Sequence, residues 1–141
     1  MTWGVKGVKG YPTGAPQDAC GAMLPYHGPQ GDDQLYPSQT GPAPYTIQVA
    51  SHHGTYLPGK AMNVTLIGNV AFKGFLLQAR VTKGNTQVGT WSIPSAISAH
   101  ARHVACGCHD GAVTHRNNTD KRALTFMWNA PPVGTGDVKF V

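Results

Sequence analysis

Histidine and cysteine are the residues of this chain best able to do chemistry, and most of them crowd into one stretch. His100, His103, Cys106, Cys108, His109 and His115 all fall within residues 100–115, and His52 and His53 are adjacent elsewhere. Imidazole and thiolate are the preferred ligands of zinc and copper, and a closed site draws four such groups to one ion. His100, His103 and His109 are therefore the candidate metal ligands. Two things weigh against a metal. Cys106-Gly107-Cys108 is not the paired-cysteine spacing of zinc fingers, and there is no second cysteine pair. A disulfide would also leave at most one thiolate. The reading preferred from the residues is that these histidines serve structure or surface, with no metal and no cofactor.

Covalent catalysis has still less support. No G-x-S-x-G elbow occurs, and Cys108 beside His109 is not a dyad by adjacency, because neighbours on a strand point to opposite faces. Asp32-Asp33 sits in a Pro/Gly-rich stretch without a supporting shell. The chain has no glutamate, which removes chemistry built on paired glutamates. No catalytic residue is assigned, and a non-enzymatic protein is expected. The polar run Arg116-Asn117-Asn118-Thr119-Asp120-Lys121 reads as an exposed loop between strands. Loops at a sandwich end carry recognition, and these residue types suit sugar hydroxyls or lipid-linked phosphates. Trp3, Tyr11, Tyr26, Tyr36 and Tyr56 lie in turn-rich stretches and offer stacking faces. Trp91 and Trp128 lie in strand patterns and read as core.

The elements that must position these residues are strands. Of 141 residues, 18 are glycine and 11 proline, and only 12% are charged, about half of the roughly 25% usual in globular proteins. Gly and Pro break helices, so helix bundles and doubly wound α/β folds are excluded. Before Tyr45 the chain is rich in turn signals and reads as an extended coil. Tyr45, Ile47 and Val49 then alternate with polar residues, as do Met62, Val64 and Leu66, and later Leu124, Phe126 and Trp128. This period of two marks half-buried strands. The continuously apolar Phe72–Val81 suits a central strand, Val88–Ile93 a short one, and Val138–Val141 a last one. Ile93–Val104 has room for a helical turn started by Pro94 and Ser95. The fold expected is all-β: an immunoglobulin-like antiparallel β-sandwich with a Pro/Gly-rich N-terminal coil.

The formal net charge is +5 and the pI about 9.3, but no window holds three adjacent Lys or Arg, so a nucleic-acid partner is not expected. No apolar run is long enough for a membrane span. A Cys20 bridge to Cys106 or Cys108 would close a loop of more than eighty residues and stabilise the fold by about 4 kcal/mol. Asn63-Val64-Thr65 and Asn117-Asn118-Thr119 are glycosylation sequons in an exported chain, with Asn63 and Asn117 as acceptors.

Several segments together resemble the reeler domain. They include Tyr11-Pro12-Thr13-Gly14-Ala15-Pro16 leading to Ala19-Cys20, Phe72-Lys73-Gly74-Phe75-Leu76-Leu77-Gln78-Ala79-Arg80, Val88-Gly89-Thr90-Trp91, Ala112-Val113-Thr114-His115 with the polar run after it, and Phe126-Met127-Trp128-Asn129-Ala130-Pro131. The likeness runs from about Tyr11 to the end, leaving 1–10 as an N-terminal extension and 11–141 as the domain. It is nearest to short, single-domain secreted insect defence proteins of the nodulation type. The same module occurs in reelin, the spondins and a ferric-chelate reductase. The resemblance implies a secreted, extracellular β-sandwich that binds microbial surface polysaccharide or lipid, or promotes immune-cell aggregation. A second expectation is an adhesion module binding extracellular-matrix or cell-surface components. A third is a metal-handling or redox accessory domain. The resemblance also implies that Cys20 pairs with a cysteine just before Val113-Thr114-His115, and a last strand cut short at Val141.

Overall fold

The computed structural model describes residues 11–24, 37, 39–51 and 53–141. Its strands are β1 (Tyr45–Val49), β2 (Ala61–Phe72), β3 (Leu76–Val81), β4 (Thr90–Ser92), β5 (Ala101–Cys106), β6 (Cys108–His115), β7 (Lys121–Asn129) and β8 (Val138–Phe140). They form two four-stranded sheets, ordered β1-β2-β7-β4 and β5-β6-β3-β8, and every pairing is antiparallel. The protein is a β-sandwich.

The core lies between the inward faces of the two sheets. Val64, Leu124, Phe126, Trp128 and Trp91 come from one sheet, and Leu77, Ala79, Ala101 and Val113 from the other. Period-two patterning does this directly, since alternate residues of a strand share a face. The aromatic rings meet edge to face: Trp91 with Phe126 at 6.2 Å and Trp128 with Phe140 at 5.3 Å. The Trp128 indole is satisfied by donating from Nε1 to the Val88 carbonyl at 3.1 Å. Gly89, at φ +72°, lies against that ring, where a Cβ would collide with it and with the Asn129 carbonyl.

One expectation changes. Phe72–Val81 is not one strand: Phe72 ends β2, residues 73–75 cross between the sheets, and Leu76 begins β3. The crossing is held by His115, whose Nδ1 accepts from the Phe75 N–H at 3.1 Å. A Cβ on Gly74 would stand 2.9 Å from the same ring. The turn expected after Ile93 is the 3-10 turn Ser95–Ile97, but Ala101 then opens β5, which pairs with β6 as a hairpin. No alternation announces this hairpin, because its outward face is covered as well as its inward one. The last strand expected at Val138–Val141 is β8, and Val141 beyond it exchanges two hydrogen bonds of 2.9 Å with Gln78.

Candidate functional site

The N-terminal coil, where described, is a strap across the outward face of β5-β6-β3. A disulfide, a small apolar contact and several polar anchors hold it. Cys20 is bridged to Cys106, with a Cα–Cα distance of 5.5 Å, and Cys108 is an exposed free thiol. Val104, Cys106 and Ala112 form a small second core there with Cys20 and Leu76. The buried Arg80 donates from Nη2 to the carbonyls of Cys20 and Gly21 and from Nε to Gln78 Oε1. Arg102 donates to Thr13 O at 2.7 Å and Ala15 O at 3.2 Å. The Ala15 N–H donates to Thr114 Oγ1 at 2.9 Å, and His115 Nε2 lies 2.6 Å from the Tyr11 carbonyl. Because His115 Nδ1 is an acceptor, Nε2 carries the proton and donates it to Tyr11. Two guanidinium groups thus act on backbone carbonyls rather than on solvent.

At one end of the sandwich, residues 116–120 join β6 to β7. Lys121 begins β7 but is 5% exposed, and its ammonium turns back into the loop. It donates to Asn117 O and Thr119 O at 2.8 Å each, Lys73 O at 2.9 Å and Asn117 Oδ1 at 3.1 Å. Burial, and secondarily the nearby positive charge of Lys73, lowers the Lys121 pKa from its ordinary 10.5, while Asp120 acts in the opposite sense. Asn117 is a second anchor. Its Nδ2 donates to Ala99 O at 2.8 Å, and its Oδ1 also accepts from the Thr119 N–H and hydroxyl. The six residues singled out in sequence therefore divide. Arg116, Asn118, Thr119 and Asp120 face solvent, whereas Asn117 is half-buried and Lys121 lies inside. Asp120 pairs with Lys73 at 3.0 Å on the surface.

Of the three candidate ligands, His103 and His109 come together at Asp110, their ring centroids 6.4 Å apart, and His100 lies before β5. His103 Nε2 lies 2.9 Å from Trp91 O, and Asp110 Oδ1 sits 2.6 Å from His109 Nδ1 and 3.6 Å from His103 Nδ1. His100 precedes β5, with no hydrogen-bond partner on its buried Nδ1. Among the described residues, no three His, Cys, Asp or Glu side chains are placed to hold one metal ion. His52, Asp32-Asp33, Trp3, Tyr26 and Tyr36 lie outside the described residues. Tyr56 is structural: it packs edge-on to Trp128 at 5.5 Å, and its hydroxyl donates to Gly136 O at 3.0 Å. Tyr11 is exposed, and Trp91 and Trp128 are buried.

Sequence reasoning missed a cleft of about 530 Å³ at the opposite end, where β1 turns into β2. Ala50, Tyr56, Leu57, Ala61 and Met62 line it, with Ser51 and Lys60 among its polar residues. Its only signal was the turn Leu57-Pro58-Gly59, which leaves Leu57 67% exposed.

Two antiparallel four-stranded sheets with a disulfide-tethered N-terminal strap define a β-sandwich domain. The chain belongs to the reeler domain family, whose model matches residues 18–141. It is 40% identical over 134 residues to "Putative defense protein 3" of Antheraea mylitta, covering 93% of this chain and 74% of that one. The corresponding Bombyx mori protein, "Putative defense protein", is 34% identical over 134 residues, covering 91% of this chain and 71% of that one. Ferric-chelate reductase 1 of Bos taurus is 32% identical over 139 residues, but these are only 21% of that protein. The human F-spondin reeler domain superposes with a TM-score of 0.60 at 26% identity, covering 70% of this chain and 75% of that one.

Proposed function

We propose that the protein is a secreted, non-enzymatic defence protein that binds microbial surface polysaccharide or lipid. The observation that carries this reading is the likeness to insect defence proteins along nearly the whole chain. The geometry supports binding over catalysis: the exposed residues Arg116, Asn118, Thr119 and Asp120 stand on a loop fixed from inside by Lys121 and Asn117. Such a loop presents donors and acceptors with little ordering entropy left to lose. Fewer cationic groups reach the surface than +5 suggests, because Arg80 and Lys121 are buried. Pull-down on peptidoglycan, β-glucan and lipopolysaccharide tests the reading. Retention on at least one is expected, with modest weakening in salt, and no retention on any at low salt refutes it. A second reading, an adhesion module for matrix or cell-surface components, draws support from the F-spondin match. Binding to matrix polymers with none to microbial ones would select it.

A further inference from the structure

The outward face of β1-β2-β7-β4 carries no charge. Register places its residues in four rows: Thr46, Ile67 and Ala123; Gln48, Thr65 and Thr125; Asn63, Met127 and Ser92; Ala61, Asn129 and Thr90. In a chain with eleven basic and six acidic residues, such a face is conspicuous. The nearest basic group along β7, Arg122, lies beyond the rows with its guanidinium 3.4 Å from the Asn69 carbonyl. The face is ordered by its own hydroxyls and amides. Thr65 and Thr125 hydroxyls meet at 2.9 Å, and Asn129 Nδ2 donates to Ser92 Oγ at 3.0 Å. The adjoining edge strand, β1, is uncharged too. Flat uncharged sheet surfaces and edges invite pairing with other chains unless something covers them.

Asn63 stands near the middle of this face, exposed, beside Thr65 two residues on and Met127 across the ladder. Among the described residues its carboxamide makes no hydrogen bond, so Nδ2 is free to be substituted. The second sequon differs: Asn117 uses both ends of its amide to hold the 116–120 loop.

We propose that Asn63 carries an N-linked glycan and that this glycan covers the uncharged sheet face. Sugar hydroxyls share hydrogen bonds with Thr, Ser, Gln and Asn without stripping water from an ion, so face and cover match. Attachment needs an oligosaccharide carried on a lipid diphosphate. Asn63 Nδ2 bonds to the anomeric carbon, the carbon–oxygen bond to the diphosphate breaks with its electron pair, and the Nδ2 proton is released. Nothing is oxidised or reduced.

The proposal rests on the export included in the functional reading, but its test is separate from ligand binding. The full chain is exported from insect cells behind a cleavable leader, and its mass is measured before and after peptide N-glycanase. The expected result is loss of one glycan with Asn63 converted to Asp in the peptide map. Asn63→Gln and Thr65→Ala abolish the shift, while Asn117→Gln keeps it. An unmodified Asn63 in the exported protein, or a shift that survives Asn63→Gln, overturns the site. For the covering role, trimmed protein is expected to self-associate in sedimentation where the intact glycoprotein stays monomeric, and identical behaviour overturns that part. Failure of the microbial pull-down would leave all these readings standing.

Discussion

Replacing Lys121 by Met tests whether the candidate recognition loop is built around a buried ammonium. Methionine keeps the length of the side chain and removes its three donors. Four oxygen contacts between 2.8 and 3.1 Å are then lost. A hydrogen bond from a charged donor contributes about 1.5–3 kcal/mol net, and a buried acceptor left alone costs about 1–3 kcal/mol. Four contacts made by three donors cannot all be full bonds, and an opened loop regains water at its exposed residues. The net cost is therefore about 3 kcal/mol, or a fall of about 10 °C in Tm for a domain of this size. Lys73→Met is the control. Its partner Asp120 is on the surface, so its effect stays within about 0.5 kcal/mol. Thermal melts of both variants decide: a Lys121→Met loss below about 1 kcal/mol, or one no larger than that of Lys73→Met, refutes the central role of the ammonium. The pH dependence reads the opposing effect, the cost of burying that charge. A lowered lysine pKa means that the unfolded chain binds more protons between the folded value and 10.5, so stability contributed by Lys121 rises with pH across that window. Subtracting the Lys121→Met profile from wild type isolates this rise, and a falling difference would contradict it.

Cys20→Ala removes a bridge spanning 86 residues, with an expected loss of about 4.5 kcal/mol by chain entropy, read by denaturant titration. In the folded wild-type protein, iodoacetamide should label Cys108 alone, as peptide mapping would show. Gly89→Ala places a methyl against Trp128 at a positive φ; a cost above about 3 kcal/mol is expected from chemical denaturation, with Trp fluorescence altered. Arg102→Met should raise hydrogen exchange in residues 11–16, leaving β2 and β7 protected, while uniform exchange would argue against a local anchor.

The sheet β1-β2-β7-β4 was legible because only one of its faces is buried, so Ile47, Val64 and Phe126 stand out by alternation. In the other sheet β3 and β8 were foreseen but the β5-β6 hairpin was not, and the reason is the strap. Arg80, Arg102, Thr114 and His115 occupy positions that a solvent-facing strand would fill with arbitrary polar residues, but here they are partnered from above. The same cause turned the histidine and cysteine cluster into an apparent ligand set: Cys106 is committed to Cys20, His115 to Tyr11 and Phe75, and His103 lies against Trp91. Lys121 was misplaced for a simpler reason. A polar run carries no sign of which cation turns inward, and only the ring of carbonyls identifies it. The family likeness was readable because it rests on order and spacing of whole segments, which burial does not disguise.

The strap also sets an order of events for a chain made from its N-terminus. The partners of Tyr11, Ala15 and Cys20 lie 104, 99 and 86 residues downstream. The segment synthesised early is thus among the last to be completed, and must wait until β5 and β6 have paired. In that interval Cys20 is a loose thiol, and Cys108 emerges two residues behind its proper partner as a competitor. In the folded protein Arg80 and Arg102 hold the strap carbonyls with Cys20 over Cys106, an arrangement that favours this pairing over Cys108. Weakening those arginines should therefore show first in the yield of correctly bridged protein, before it shows in the stability of what has already folded.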